Sequence, residues 1–311
     1  MGNQEFTTPI AFFLFNRPET TAQTFARIAS ARPTQLYLIA DAPRANHPTD
    51  AANCAAARAI VEKINWDCDV HYNFAEANMG CRRRIASGID WVFDQVEMAI
   101  ILEDDILVDP TFFTFAQEML RYHANDERVM QISGYNPVPP HAYPYSYYYS
   151  YWGFIWGWAT WRRAWQRYYD VDMKLWSPLL RDEMANHPSL NPRIIALLEQ
   201  THANEIDTWD YQWFFARILQ SGLNVIPTSN LVRNIGFDAT ATHTKDPRNP
   251  HANTVLSPMS FPIVHSPWTM PYPSFESALY DIHNKPPLKQ RAKAIVRQMM
   301  STIGLLPPPK H

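Results

Sequence analysis

Glu103, Asp104 and Asp105 stand together at the end of the apolar run Met98-Ala99-Ile100-Ile101-Leu102. Three adjacent carboxylates repel one another unless a cation or a set of donors balances them. The run before them is short, continuously apolar and partly β-branched, which reads as a buried strand. In open α/β sheets, ligands bind at the carboxyl ends of strands. A hard divalent ion such as Mg²⁺ or Mn²⁺ takes oxygen ligands and leaves positions open for substrate phosphates. The triplet therefore predicts a metal and a phosphorylated ligand. A solvated acidic strand end is the plain alternative.

A second charged cluster, Gly80-Cys81-Arg82-Arg83-Arg84, opens a helix expected to run to Gln95. Cations at a helix N-terminus oppose its dipole. A diphosphate at that terminus, backed by arginine, would answer both the helix and the side chains. Arg82 or Arg84 is favoured over Arg83 for that contact, with a solvated basic patch as the alternative. No G-x-G-x-x-G follows the first expected strand, and no G-x-x-x-x-G-K-[ST] exists. The metal and these arginines are then the groups left to meet phosphate.

The elements that must position these residues alternate. Thr8 to Phe15 is an apolar run, and Pro18 opens a helical stretch to about Ala31. Gln35 to Ala40 is a second run, ending at Asp41-Ala42-Pro43, and Ala51 to Ile64 is Ala-rich and helical. Asp69 to Phe74 alternates like a strand, Asp109-Pro110 starts a helix, and Val129 to Ser133 is a further strand. The alternation predicts an α/β protein with a mostly parallel sheet and helices on both faces. After it come a dense aromatic block from Tyr143 to Trp165, helices over Arg193 to Ala203 and Tyr211 to Leu219, and a loop-rich stretch from Asp238 to Pro273. From Lys285 the chain turns basic, and Leu288 to Leu306 is amphipathic.

With 311 residues the chain can bury one large core or two small ones. A formal charge of -3 gives no basic footprint for nucleic acid. Cys54, Cys68 and Cys81 form no C-x-x-C, so buried thiols in a reducing cytosol are expected rather than a disulfide framework or zinc cluster. No basic segment followed by an apolar one begins the chain, and no run of about 18 apolar residues occurs. Neither a signal peptide nor a membrane span is expected.

Phe15-Asn16-Arg17-Pro18-Glu19, Asp41, Asn78-x-Gly80 before an arginine-led helix, and Glu103-Asp104-Asp105 form an ordered set that resembles the GT-A glycosyltransferases. The set is similar to bacterial family-2-like enzymes and to the N-acetylglucosaminyltransferase I group, over roughly residues 8 to 245. The resemblance implies a GT-A domain over 1–284, with a nucleotide-sugar half (1–136) and an acceptor half (137–284), followed by a basic tail (285–311). It implies that Asp105 coordinates Mn²⁺ (or Mg²⁺) at the donor diphosphate. Asp104 would contact the ribose or a metal-bound water, and Glu103 would support the ribose and base side. Asp41 would accept from uracil, and Arg17 would touch the nucleotide, although a turn-forming Asp and a surface Arg remain as alternatives.

An inverting transfer needs a general base for the acceptor hydroxyl. Asp210, in Glu205-Ile206-Asp207-Thr208-Trp209-Asp210-Tyr211, is the candidate, with Asp207 as substitute and a first-turn stabilising acid as the alternative. His243 would return to the metal or diphosphate, since neutral imidazole suits Mn²⁺. Most aromatics of the block are expected in the core; Trp156 and Trp158, flanking Gly157, are the ones expected near the acceptor. The function implied is an inverting, metal-dependent transfer from a nucleotide sugar, UDP first, to a glycan or lipid-linked acceptor. The expected location is cytoplasmic, and the tail could touch the inner face of a membrane, though an ordinary packed helix would read the same. A carbohydrate-binding or catalytically dead module and a Mg²⁺-dependent nucleotidyltransferase or phosphatase are the other classes. The absence of glycine in Asn16-Arg17-Pro18-Glu19 speaks against the nucleotidyltransferase.

Overall fold

The computed structural model describes residues 6–187, 190–236 and 254–284. Ten strands and nine helices are found among them. The first half follows the expected alternation: β1 (Ile10–Leu14), α1 (Pro18–Ala31), β2 (Gln35–Ala40), α2 (Asp50–Val61), β3 (Asp69–Phe74), α3 (Gly80–Phe93) and β4 (Met98–Glu103). A short strand that the periodicity does not announce, β5 (Ile106–Val108), then precedes α4 (Thr111–Tyr122) and β6 (Val129–Ser133). The second half runs β7 (Tyr147–Ser150), β8 (Trp158–Trp161), α5 (Arg162–Tyr168), α6 (Pro178–Met184), α7 (Pro192–His202), α8 (Asp210–Leu219), β9 (Leu223–Pro227), β10 (Val232–Asn234) and α9 (Pro273–Asn284).

Eight strands form one sheet in the order β3-β2-β1-β4-β8-β6-β9-β7, and β10 pairs with β5 in a separate ribbon. The neighbours β3-β2, β2-β1, β1-β4 and β6-β9 are parallel, while β8 and β7 run against their neighbours. The expectation of a mostly parallel sheet flanked by helices is borne out. Side chains alternate across it, as a period of two requires. Ile10, Phe12 and Leu14 join Phe25 of α1, Ala57 of α2 and Phe112 of α4 in one core. Ala11 and Phe13 join Ile85 and Ile89 of α3, Trp165 of α5 and Trp213 of α8 in a second, and Tyr148 joins Leu198 of α7 and Phe215 of α8 in a third.

Local chemistry sets several boundaries. Pro18 begins α1, where its fixed φ suits a helix and its missing N–H is not needed. Arg32 ends α1 with φ of 49°, its amide donating to Ile28 and Ala29. Asn191 caps α7 by accepting from the Ile194 amide at 2.9 Å.

The aromatic block folds as β7, a loop and β8, with every residue of both strands buried. β7 is a sheet edge, and the proline-rich segment before α9 covers it. Ser146 donates its amide to Val264 at 2.9 Å, Tyr272 donates to Tyr149 at 3.1 Å, and Pro271 bridges Tyr149. An edge left bare would offer unpaired backbone groups to another chain. No helix among the described residues is long and apolar enough to cross a membrane. The basic tail from Lys285 lies outside the described residues.

Candidate active site

β1 and β4 lie side by side and parallel, with Phe13 opposite Glu103, so both strands release their chains at the same edge. Asp104 is 3% exposed. Its Oδ2 accepts from the Phe15 amide at 3.0 Å, and its Oδ1 pairs with Arg17 Nη2 at 3.1 Å. The other arm of the same guanidinium, Nη1, lies 2.9 Å from Asp105 Oδ2. Burial opposes the charge on Arg17, but Asp104 and Asp105 outweigh it and raise its pKa. Burial, then Asp105 and Asp104, pushes the Glu103 carboxyl well above the usual range. Burial also raises Asp104, though Arg17 restrains it.

Two carboxylates thus share a single guanidinium, with the charge of Glu103 close by, and all the donors are hard oxygens, the chemistry a divalent cation takes. No cluster of three metal-ligating side chains converges among the described residues. The set fits a cation held through Asp105 with its remaining positions supplied by a phosphorylated ligand. It does not fit a cage built wholly of protein. His243, expected to contribute to the metal, lies outside the described residues.

The start of α3 departs from expectation. Asp41, at the end of β2, accepts from the amides of Ala42, Met79 and Gly80 and from the Asn78 side chain. Asp207 accepts from the amides of Cys81 and Arg82, each at 3.0 Å. Gly80 has φ of 78°, and a Cβ there would lie 2.9 Å from Asp207 Oδ2, so glycine suits this contact. The anion foreseen at this helix terminus is therefore supplied by the chain itself. Asp41 acts as the clasp of the entry loop, its oxygens accepting from those donors. Asp207 is a cap, not a free base.

The arginines follow the same logic. Arg82 is buried and donates to the carbonyls of Thr201 (2.8 Å), Ile206 (2.6 Å) and Thr208 (3.1 Å) and to the Asn204 side chain. Arg84 is buried and donates to Ala40 and Asn73. Both arginines preferred for a diphosphate are thus engaged by carbonyl and side-chain oxygens of the chain itself. Arg83 is the exposed one, 3.6 Å from Asp172.

Arg82 and Asp207 tie the end of α7 and the 203–208 loop to α3, and that loop leads into α8. Asp210 opens α8, and its carboxylate accepts from the Thr208 hydroxyl. Ile101 of β4 packs with α3 and α8, strand alternation puts Glu103 on that same face, and the charge of Asp210 adds to the upward shift of Glu103. Cys81 packs on the same side, its thiol pushed far up by burial and then by Glu103, Asp207, Asp210 and Asp41. A cavity of about 320 Å³ runs along α3, lined in part by Met79, Arg83, Ser87, Asp90 and Tyr169. Tyr169 donates its hydroxyl to Trp209, the neighbour of Asp210, at 3.2 Å.

The two tryptophans expected near an acceptor separate. Trp158 is 1% exposed and packs among Trp165, Trp209 and Trp213, which removes it from any surface. Trp156 is partly buried, edge-on to Tyr135 at 4.9 Å between centroids. One charged group escaped the sequence reading. Asp50 accepts from Asn16 at 2.8 Å and from Arg44 Nε at 2.7 Å, and those bonds hold its pKa down to about 2. The signal was an acid opening an Ala-rich helix close to the Asn16-Arg17 loop, but nothing in the spacing names its partners.

No family model and no curated relative matches the chain. Many solved structures are similar to it in part, among them the following three. Residues 1–349 of Staphylococcus aureus TarS match at 10% identity with a TM-score of 0.41, over 73% of this chain and 59% of that one. Mouse xyloside xylosyltransferase 1, in its apo form, matches at 12% identity and 0.33, over 69% and 82%. The mannosyltransferase PcManGT of Pyrobaculum calidifontis, in complex with GDP-Man and Mn²⁺, matches at 12% identity and 0.43, over 98% and 78%.

Proposed function

We propose that this chain is a glycosyltransferase that moves a sugar from a nucleotide-sugar donor, UDP first, to a hydroxyl of a glycan or lipid-linked acceptor. The observation that carries the reading is the gathering of Arg17, Asp104 and Asp105 at the shared carboxyl edge of β1 and β4. The ordered set of sequence motifs supports the same class. Mn²⁺ or Mg²⁺, held through Asp105, would supply Lewis-acid neutralisation of the leaving diphosphate. Glu103 and Asp104 frame the donor side. Asp210 takes the proton from the acceptor oxygen as that oxygen attacks the anomeric carbon, which makes the transfer inverting. Thr208 holds the Asp210 carboxylate in place. We assign the acceptor to the α3 cavity, because Tyr169 lines it and donates to the carbonyl of Trp209, the residue before Asp210, and Trp156 is kept as a candidate acceptor contact. His243 is kept as a candidate second contact to the metal or diphosphate.

The test is thermal stability with UDP, GDP, CMP or ADP in Mn²⁺, Mg²⁺ or EDTA. A ligand at about 100 times its dissociation constant adds roughly 2.7 kcal/mol, a rise of several degrees for a chain of this size. The reading expects a UDP-dependent rise that needs Mn²⁺ and disappears in Asp105→Asn. Asp210→Asn should keep the rise and lose transfer by roughly a hundredfold or more. A GDP or CMP rise changes the donor but keeps the class. No rise with any nucleotide at millimolar concentration sinks the reading and favours a binding module.

A further inference from the structure

Arg17 does more than sit beside the acids. Its side chain is 20% exposed, and its two terminal nitrogens reach Asp104 at 3.1 Å and Asp105 at 2.9 Å. Among the described residues no other cation pairs with either acid. The backbone aims the fork: Arg17 precedes Pro18, which restricts its conformation, and its carbonyl accepts from the amide and hydroxyl of Thr21. The other side is closed as well. The Ile235 amide donates to the Asp105 carbonyl at 2.8 Å. A Cβ on Gly236 would collide with Asp105 Oδ2 and lie 2.8 Å from Arg17 Nη1. The ion pair is therefore built in from both flanks rather than reached by a floppy surface side chain.

A planar guanidinium across two carboxylates is a strong, directional pairing. A hard dication bound through Asp105 would have to share that carboxylate with a cation already on it. We infer that Arg17 is a resident counter-cation that competes with the divalent ion for Asp105, so that the ion binds weakly to the free protein. A diphosphate, offering acceptor oxygens of its own, draws Arg17 away and lets the ion bind tightly. The metal and the nucleotide then bind cooperatively. Linkage requires each to tighten the other by the same factor. This inference rests on the proposed donor site, but its first test needs no sugar nucleotide.

Free Mn²⁺ would be followed by electron paramagnetic resonance during titration of the wild-type chain, Arg17→Gln and Arg17→Lys, without nucleotide. Arg17→Gln should bind Mn²⁺ roughly ten-fold more tightly than wild type. Arg17→Lys, whose ammonium cannot fork, should bind more tightly than wild type by a smaller factor, and it carries the test if Arg17→Gln does not fold. Asp105→Asn should abolish binding in each background. Adding UDP should tighten Mn²⁺ on the wild-type chain by a larger factor than on Arg17→Gln, where the diphosphate's own coordination of the ion remains but no guanidinium has to be displaced. Unchanged or weaker Mn²⁺ binding in both Arg17 variants overturns the inference, as does no Mn²⁺ binding by any of them. If the variants gain Mn²⁺ but UDP, GDP, CMP and ADP leave it unchanged, the competition stands and the donor assignment falls.

Discussion

The two halves of the sheet are made of different material. β3, β2, β1 and β4 are parallel neighbours, and β1, β2 and β4 are largely aliphatic: Ile-Ala-Phe-Phe-Leu, Gln-Leu-Tyr-Leu-Ile-Ala and Met-Ala-Ile-Ile-Leu-Glu. β8, β6, β9 and β7 change direction repeatedly and carry Tyr and Trp into the core. In the parallel half every carboxyl end points the same way, so Arg17, Asp41 and the acid triplet gather at one edge. The mixed half has no such edge, and its candidate acid, Asp210, comes from the start of a helix. Chemistry drawn from the second half has to be held against the first by a seam, and Arg82 with Asp207 forms that seam.

Substitutions can break each side of this comparison. The largest effect is expected in the aromatic half. Trp158→Ala should cost about 3–5 kcal/mol in urea unfolding, because it empties the space between Trp165, Trp209 and Trp213. Trp158→Phe should cost clearly less: it keeps an aromatic ring and removes an indole N–H that has no partner. At the seam, Arg82→Met strands three backbone carbonyls and the Asn204 side chain, a loss of about 3 kcal/mol. Hydrogen exchange should rise over residues 201–210. A diphosphate ligand in its place would instead lose nucleotide affinity at unchanged stability. The smallest effect is expected at the other end of α8. Arg217 is fully buried, burial lowers its pKa to about 9, and it donates to Tyr151 at 3.2 Å while its Nε has no partner. No acid pairs with it among the described residues, so Arg217→Met should raise stability by about 1 kcal/mol.

The sequence was most readable where periodicity alone decides structure. Unbroken apolar runs separated by helical segments fixed the parallel half, and Pro18 marked the start of its first helix. The acid triplet was visible because like charges rarely adjoin without a reason. The arginine trio was legible as a cluster but not in its directions, because successive helical residues turn by about 100° and cannot all face one ligand. Arg82 and Arg84 turned inward onto carbonyls that belong to distant segments. Asp207 caps a helix well over a hundred residues earlier in the chain, a pairing that only the folded sheet creates. Trp158 misled for a related reason. Both faces of β8 are covered by helices, so strand parity sorts its side chains between two cores rather than between core and solvent.

The cover over β7 gives the order of synthesis a meaning. Tyr147–Ser150 leaves the ribosome long before the Val264–Tyr272 segment that shields it. At ~5–20 residues per second the strand stands uncovered for on the order of ten seconds. Each new copy on a crowded polysome passes through an interval in which neighbouring nascent chains present the same tyrosine-rich edge to one another. A slow stretch of translation between the two segments would lengthen that interval and lower the yield of folded protein, with no change in the finished molecule.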